Sequence, residues 1–145
     1  MAKISIKGVL VGGITDVGTT LILGMPFAVY VGLRVAASHI PSEQTQSSVQ
    51  AIMHRPEIFL PQLLIGCACS VLGGYVAARI AGHDEALNGC LSSFLCFGLG
   101  ICLLAAHASS EPVWEQILMM IESPVLGVLG GYLCLKQRRR AMQPA

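Results

Sequence analysis

Four long apolar runs dominate the chain, at residues 8–35, 58–81, 86–108 and 112–135, with short polar stretches between them. Each exceeds the ~20 residues that a helix needs to cross a hydrocarbon core about 30 Å thick. Within each run the apolar residues cover every side of a helical projection, and a water-soluble bundle would not do that four times. Backbone groups in lipid must be satisfied within their own segment, so each run is predicted to be a helix. The pattern therefore predicts an all-α membrane protein, with four transmembrane helices packed as a compact bundle in one domain spanning residues 1–145. The first run is too long for a signal-peptide core and contains Asp16, so it reads as a retained helix. Pro26 inside it predicts a kink near Met25.

The connections are short except for 37–56. There Ser42 is placed to cap a short helix whose Val49, Ile52 and Met53 share one face and lie on the membrane surface; a plain polar tether is the competing reading. Gly82 is a helix stop in the tight turn 82–85. Pro112 suits a first helical position after the turn 107–111.

The run ends carry a repeat. Val71-Leu-Gly-Gly-Tyr75 recurs as Val128-Leu-Gly-Gly-Tyr132, each followed four residues later by a base, Arg79 and Lys136. This predicts two duplicated helix hairpins with the 37–56 loop inserted in the first. Helices in lipid approach closely where small residues recur at four-residue steps. Such rows comprise Gly8, Gly12, Asp16, Thr20 and Gly24 in the first run, and Gly66, Ser70, Gly74 and Ala78 in the second. Asn88, Ser92, Cys96 and Gly100 form the third row, and Ser123, Gly127 and Gly131 the fourth. Gly12, Gly66, Ser70, Gly74, Gly127 and Gly131 are the predicted packing positions.

Charge sets the orientation. Charged residues are only 12% of the chain and the net charge is +1, which leaves no basic surface for nucleic acid. With both termini cytoplasmic, Lys3, Lys7, Arg79, Lys136, Arg138, Arg139 and Arg140 fall inside, and Arg34 and Arg55 outside. That asymmetry predicts an N-in, C-in topology. Lys136 and Arg138–Arg140 would also attract anionic lipid headgroups, although topology alone accounts for them.

A resemblance enters on Gly73-Gly-Tyr-Val-Ala-Ala-Arg-Ile-Ala-Gly82 and the following Asp84-Glu-Ala-Leu-Asn-Gly89. This stretch is similar to one in uncharacterised bacterial four-helix membrane proteins, where a Gly-Gly-Tyr-x-Ala-x-Arg helix end leads through an acidic turn. The resemblance implies a bacterial inner-membrane location and the same architecture, and it implies no activity.

Two acids lie within the runs. Asp16 falls ~12 Å from one edge and Glu122 ~15 Å from the other, so the two approach the same depth. A charge there costs at least about 2.5–3.5 kcal/mol, which favours a protonated or cation-bound carboxyl. Pro124 frees the Met120 carbonyl, and Thr19, Thr20 and Ser123 supply hydroxyls. Asp16, Thr19, Thr20, Glu122 and Ser123 thus form a candidate proton or cation site; the competing reading is polar glue between helices. The six cysteines all lie in apolar runs and read as small packing residues. No metal-ligand spacing, hydrolase motif or phosphate loop is present. The expectation is a non-enzymatic membrane protein without cofactor, an accessory subunit associating with itself or a larger complex. The alternative is a small proton- or cation-coupled transporter or channel.

Overall fold

The computed structural model describes residues 3–38, 44–105 and 113–142. These form five helices: α1 (Ile6–Ala37), α2 (Thr45–Met53), α3 (Pro56–Ala81), α4 (Glu85–Ala105) and α5 (Val113–Met142). Among the described residues, α1, α3 and the Glu85–Cys102 part of α4 are long and apolar enough to cross a membrane. The molecule is an all-helical membrane protein.

The short helix expected within the 37–56 loop is present as Thr45–Met53, not a plain tether; Gln44 precedes it without a side-chain cap, and Ser42 lies outside the described residues. One difference from the apolar pattern has a simple cause. The last helix outruns its apolar stretch and continues to Met142. Lys136, Gln137 and Arg138–Arg140 are good helix formers, so the helix propagates beyond the residues that hydropathy marks. Helix α1 runs without interruption through Pro26. The turn 107–111 and Pro112 lie outside the described residues.

Helix α3 is the hub, touching α1, α4 and α5, while α4 also packs on α1 and α5. Glycines set how closely these helices approach. A Cβ at Gly12 would strike Ala77, one at Gly73 would meet the Asp16 Cβ at 2.7 Å, and one at Gly74 would strike Gly127. A Cβ at Gly127 would run into Ser93 and Gly89, one at Gly130 into Val71, and one at Gly131 into Glu85. Each Gly-Gly pair of the repeat therefore serves two neighbours. Gly73 faces α1 and Gly74 faces α5; Gly130 faces α3 and Gly131 faces α4. Two equivalent hairpins would require Gly130, the counterpart of Gly73, to face α4. Instead the first glycine of each pair meets the preceding helix in the order α1, α3, α5, α4, and the second meets the next. The repeat thus relates neighbouring helices in that order.

Gly66 departs from the predicted row: a Cβ there would meet nothing within 4 Å. It lies N-terminal to the level at which α1 and α5 close on α3, so its small size is not used for packing. A Gly66→Leu chain should keep wild-type resistance to denaturant in detergent; a loss above about 1 kcal/mol would place a neighbour there.

One end of the bundle is tied by polar bonds. Asn88, fully buried, accepts from the Ser5 N–H and donates to the carbonyls of Lys3, His83 and Asp84. The Lys3 N–H donates to Asp84 at 2.7 Å. Ser5 caps α1 by accepting from the Gly8 N–H. Gly82 closes α3 with φ of 69°, a left-handed conformation that glycine adopts without strain. Arg138 donates to the Gly82 carbonyl and pairs with Glu85 at 3.1 Å, bringing the last turns of α5 to this end.

The other half of the molecule is looser. Beyond Asp16, α1 buries only Val31, and Leu21, Ile22, Met25, Val29 and Leu33 are all exposed.

Candidate functional site

Asp16 sits where α1, α3 and α4 meet. Gly12 and Gly73 bring α1 onto α3, and Gly13 brings α1 against Ser92 and Leu95 of α4. The carboxyl group is left 3% exposed at the junction. Each oxygen has one donor: the Ser70 hydroxyl at 3.3 Å on Oδ1 and the Cys96 thiol at 3.2 Å on Oδ2. Asp16 thereby joins three helices through one side chain.

Glu122 lies on α5, where its Oε1 accepts from the Cys67 thiol of α3 at 2.7 Å. Cys67 and Ser70 are one turn apart on α3, so this single helix presents a donor to each acid. Asp16 and Glu122 share no hydrogen bond among the described residues.

The predicted hydroxyls behave differently from one another. Thr19 donates to the carbonyls of Thr15 and Asp16 on its own helix, so its proton is already committed. Thr20 shares the face of Gly8, Gly12 and Asp16 but is exposed, because beyond Asp16 the neighbouring helices no longer bury that face of α1. Ser123 is buried with no hydrogen-bond partner, and so is Ser93, which faces Gly127. Buried hydroxyls are nearly always partnered in native proteins, so this pair marks a polar spot with unused bonding capacity between α4 and α5.

Two cysteines do more than fill space. Cys67 and Cys96 each donate to a carboxyl group, whereas an apolar setting alone suggested packing. The legible signal was depth, since both lie on helices that pass the two acids near mid-span. At the basic end, Arg138 is engaged with Gly82 and Glu85, while Lys136, Arg139 and Arg140 are exposed on the last turns of α5.

The site thus offers two carboxyls, two thiols and three serine hydroxyls, with no basic side chain bonded to either acid among the described residues. Such a set can hold helices in register or pass a proton. Compared with protein families, curated proteins and solved structures, the chain has no match.

Proposed function

We propose that this chain is a small, non-enzymatic, multi-pass protein of the bacterial inner membrane. In this reading α1, α3, α4 and α5 all cross, both termini are cytoplasmic, and the protein serves as an accessory subunit that docks onto other membrane helices. The outer half of α1 is the docking element. What supports this is a contrast within one helix. Gly8, Gly12 and Gly13 are filled by neighbours, whereas a Cβ at Gly18, Gly24 or Gly32 would meet nothing within 4 Å among the described residues. Gly24, Ala28 and Gly32 fall at four-residue steps, the spacing at which two membrane helices approach backbone to backbone. Left against lipid, those glycines cost helix stability, about 1 kcal/mol each relative to alanine, with no return.

The membrane sidedness rests on the shared location of Lys3, Arg79 and Arg138 at the tied end, with Lys7, Lys136, Arg139 and Arg140 adjoining it in sequence. The local likeness of the Gly-Gly-Tyr-x-Ala-x-Arg segment to bacterial four-helix membrane proteins points the same way.

Mild-detergent extracts of native membranes test the reading on native gels. The wild-type chain should migrate in a species well above its own 15.3 kDa, and Gly24→Leu/Gly32→Leu should return it to the monomer. Monomeric wild-type protein would contradict the docking role.

The buried Ser93 and Ser123 hydroxyls, without a hydrogen-bond partner among the described residues, favour a second reading, in which the interior of the bundle carries protons or a small cation. Liposome flux assays separate the two. If the acids only tie helices, wild type, Asp16→Asn and Glu122→Gln all give background flux, and Asp16→Asn stays assembled at a cost of about 1 kcal/mol or less. Wild-type flux above background that Asp16→Asn abolishes would establish transport.

A further inference from the structure

A cavity of about 460 Å³ opens between the last turn of α3 and the end of α5, lined by Ala78, Arg79, Cys134, Gln137, Arg138 and Ala141. We infer that it is a binding site for a phosphate group, carried by an anionic lipid headgroup or free in solution.

Its walls are built rather than incidental. The Arg138 guanidinium is anchored along one edge by the Gly82 carbonyl and Glu85. Its remaining N–H groups have no partner among the described residues. On the opposite wall the Arg79 guanidinium donates to the Tyr75 hydroxyl at 3.4 Å, and that hydroxyl donates to Gln137 at 2.7 Å. Two guanidinium groups are therefore held on adjacent helices around one space, with part of their side-chain entropy already lost. Cys134, 6% exposed, lies within the electrostatic reach of both. Guanidinium forks match phosphate oxygens in planar, bidentate geometry, which favours this ligand over a simple halide.

Two features oppose an anion and are outweighed. Glu85 is close, but Arg138 already neutralises it. The last carbonyls of α3 present the negative end of a helix, yet the Gly82 N–H caps Ala78 and Arg138 covers Gly82. Arg79 remains as an uncompensated positive charge. The cavity also lies at the tied end of the bundle, level with the end of the apolar part of α5, where headgroup phosphates would sit if the helices span.

The test uses the full chain in a zwitterionic detergent, titrated calorimetrically with short-chain phosphatidylglycerol, short-chain phosphatidylcholine and inorganic phosphate. Saturable binding of phosphatidylglycerol is expected. If inorganic phosphate competes with it at similar affinity, the phosphate alone is the ligand; if not, the lipid is. Arg79→Gln should weaken binding by about tenfold or more, since it removes one of two charge-assisted clamps. Ala141→Phe, which fills the mouth without changing charge, should weaken it comparably. Arg139→Gln/Arg140→Gln, which removes two charges outside the cavity, should change it by less than about threefold. Absence of saturable binding by either phosphate compound would overturn the site. So would equal losses in the Arg79 and Arg139/Arg140 variants, which mean diffuse charge attraction.

Discussion

Gly127→Leu should prevent the bundle from assembling. Gly127 lies where α3, α4 and α5 come closest, with Gly74 on one side and Gly89 and Ser93 on the other. Most of the atoms that a new side chain would strike belong to backbone, so no rotamer change relieves the clash. Overpacking in a well-filled interior costs about 1–3 kcal/mol when side chains can yield, and more where they cannot. A loss of ~3 kcal/mol or more is therefore expected, against total stabilities of about 5–15 kcal/mol. The measurement is unfolding by sodium dodecyl sulfate in mixed micelles, with Gly98→Leu as control, because a Cβ at Gly98 meets nothing within 4 Å. Gly127→Leu should unfold at markedly lower detergent fraction or fail to purify as a single species, and Gly98→Leu should match wild type. Equal behaviour of the two variants would mean that the three-helix contact is absent.

The second large effect concerns Asn88. Its amide links the N-terminal segment to the turn before α4 at full burial, accepting one bond and sharing its two N–H hydrogens among three carbonyls. Asn88→Ala leaves the Ser5 N–H and the Lys3 and His83 carbonyls without those bonds. Each unsatisfied buried group costs about 1–3 kcal/mol, but the end of the bundle admits some water, so about 2–3 kcal/mol in total is expected. The N-terminal segment should also come loose. Limited trypsin digestion in detergent should cut Asn88→Ala after Lys7 far faster than wild type, with Asn88→Asp intermediate because it keeps the acceptor alone. Unchanged cleavage would show that the N-terminus is held by something else.

How much of this was readable beforehand depends on the residue. The apolar runs coincide with α1, α3, α4 and the first part of α5, because internal hydrogen bonding leaves apolar segments of that length few alternatives to a helix. The end of α5 was not readable from hydropathy, since a helix continues wherever propensity allows. The small-residue rows include Gly12, Ser70, Gly74, Gly127 and Gly131, which lie at helix contacts in the structure. They also included Gly66, because spacing marks a face but not whether a neighbour reaches it. Gly73 and Gly130 were overlooked for the converse reason. A four-residue row follows one face, and the first glycine of each pair serves another.

At the site, Asp16 and Glu122 stood out by cost, and cost does not depend on knowing the fold. Their partners did, since Cys67 reaches Glu122 only where α3 packs on α5, and Cys96 reaches Asp16 only where α4 packs on α1. Thr20 illustrates the limit from the other side: it continues the row of Gly8, Gly12 and Asp16, yet it is exposed, because spacing does not say where neighbouring helices cease to reach α1.

The central claim is that the outer half of α1 meets a second membrane helix. Photo-crosslinking in native membranes, with the reactive residue placed singly from Leu21 to Leu33, tests it most directly. The account predicts protein adducts when the probe replaces Leu21, Met25, Ala28 or Gly32, which share one face, and none at Ile22, Pro26 or Tyr30, which do not. Adducts at every position, or at none, would contradict it.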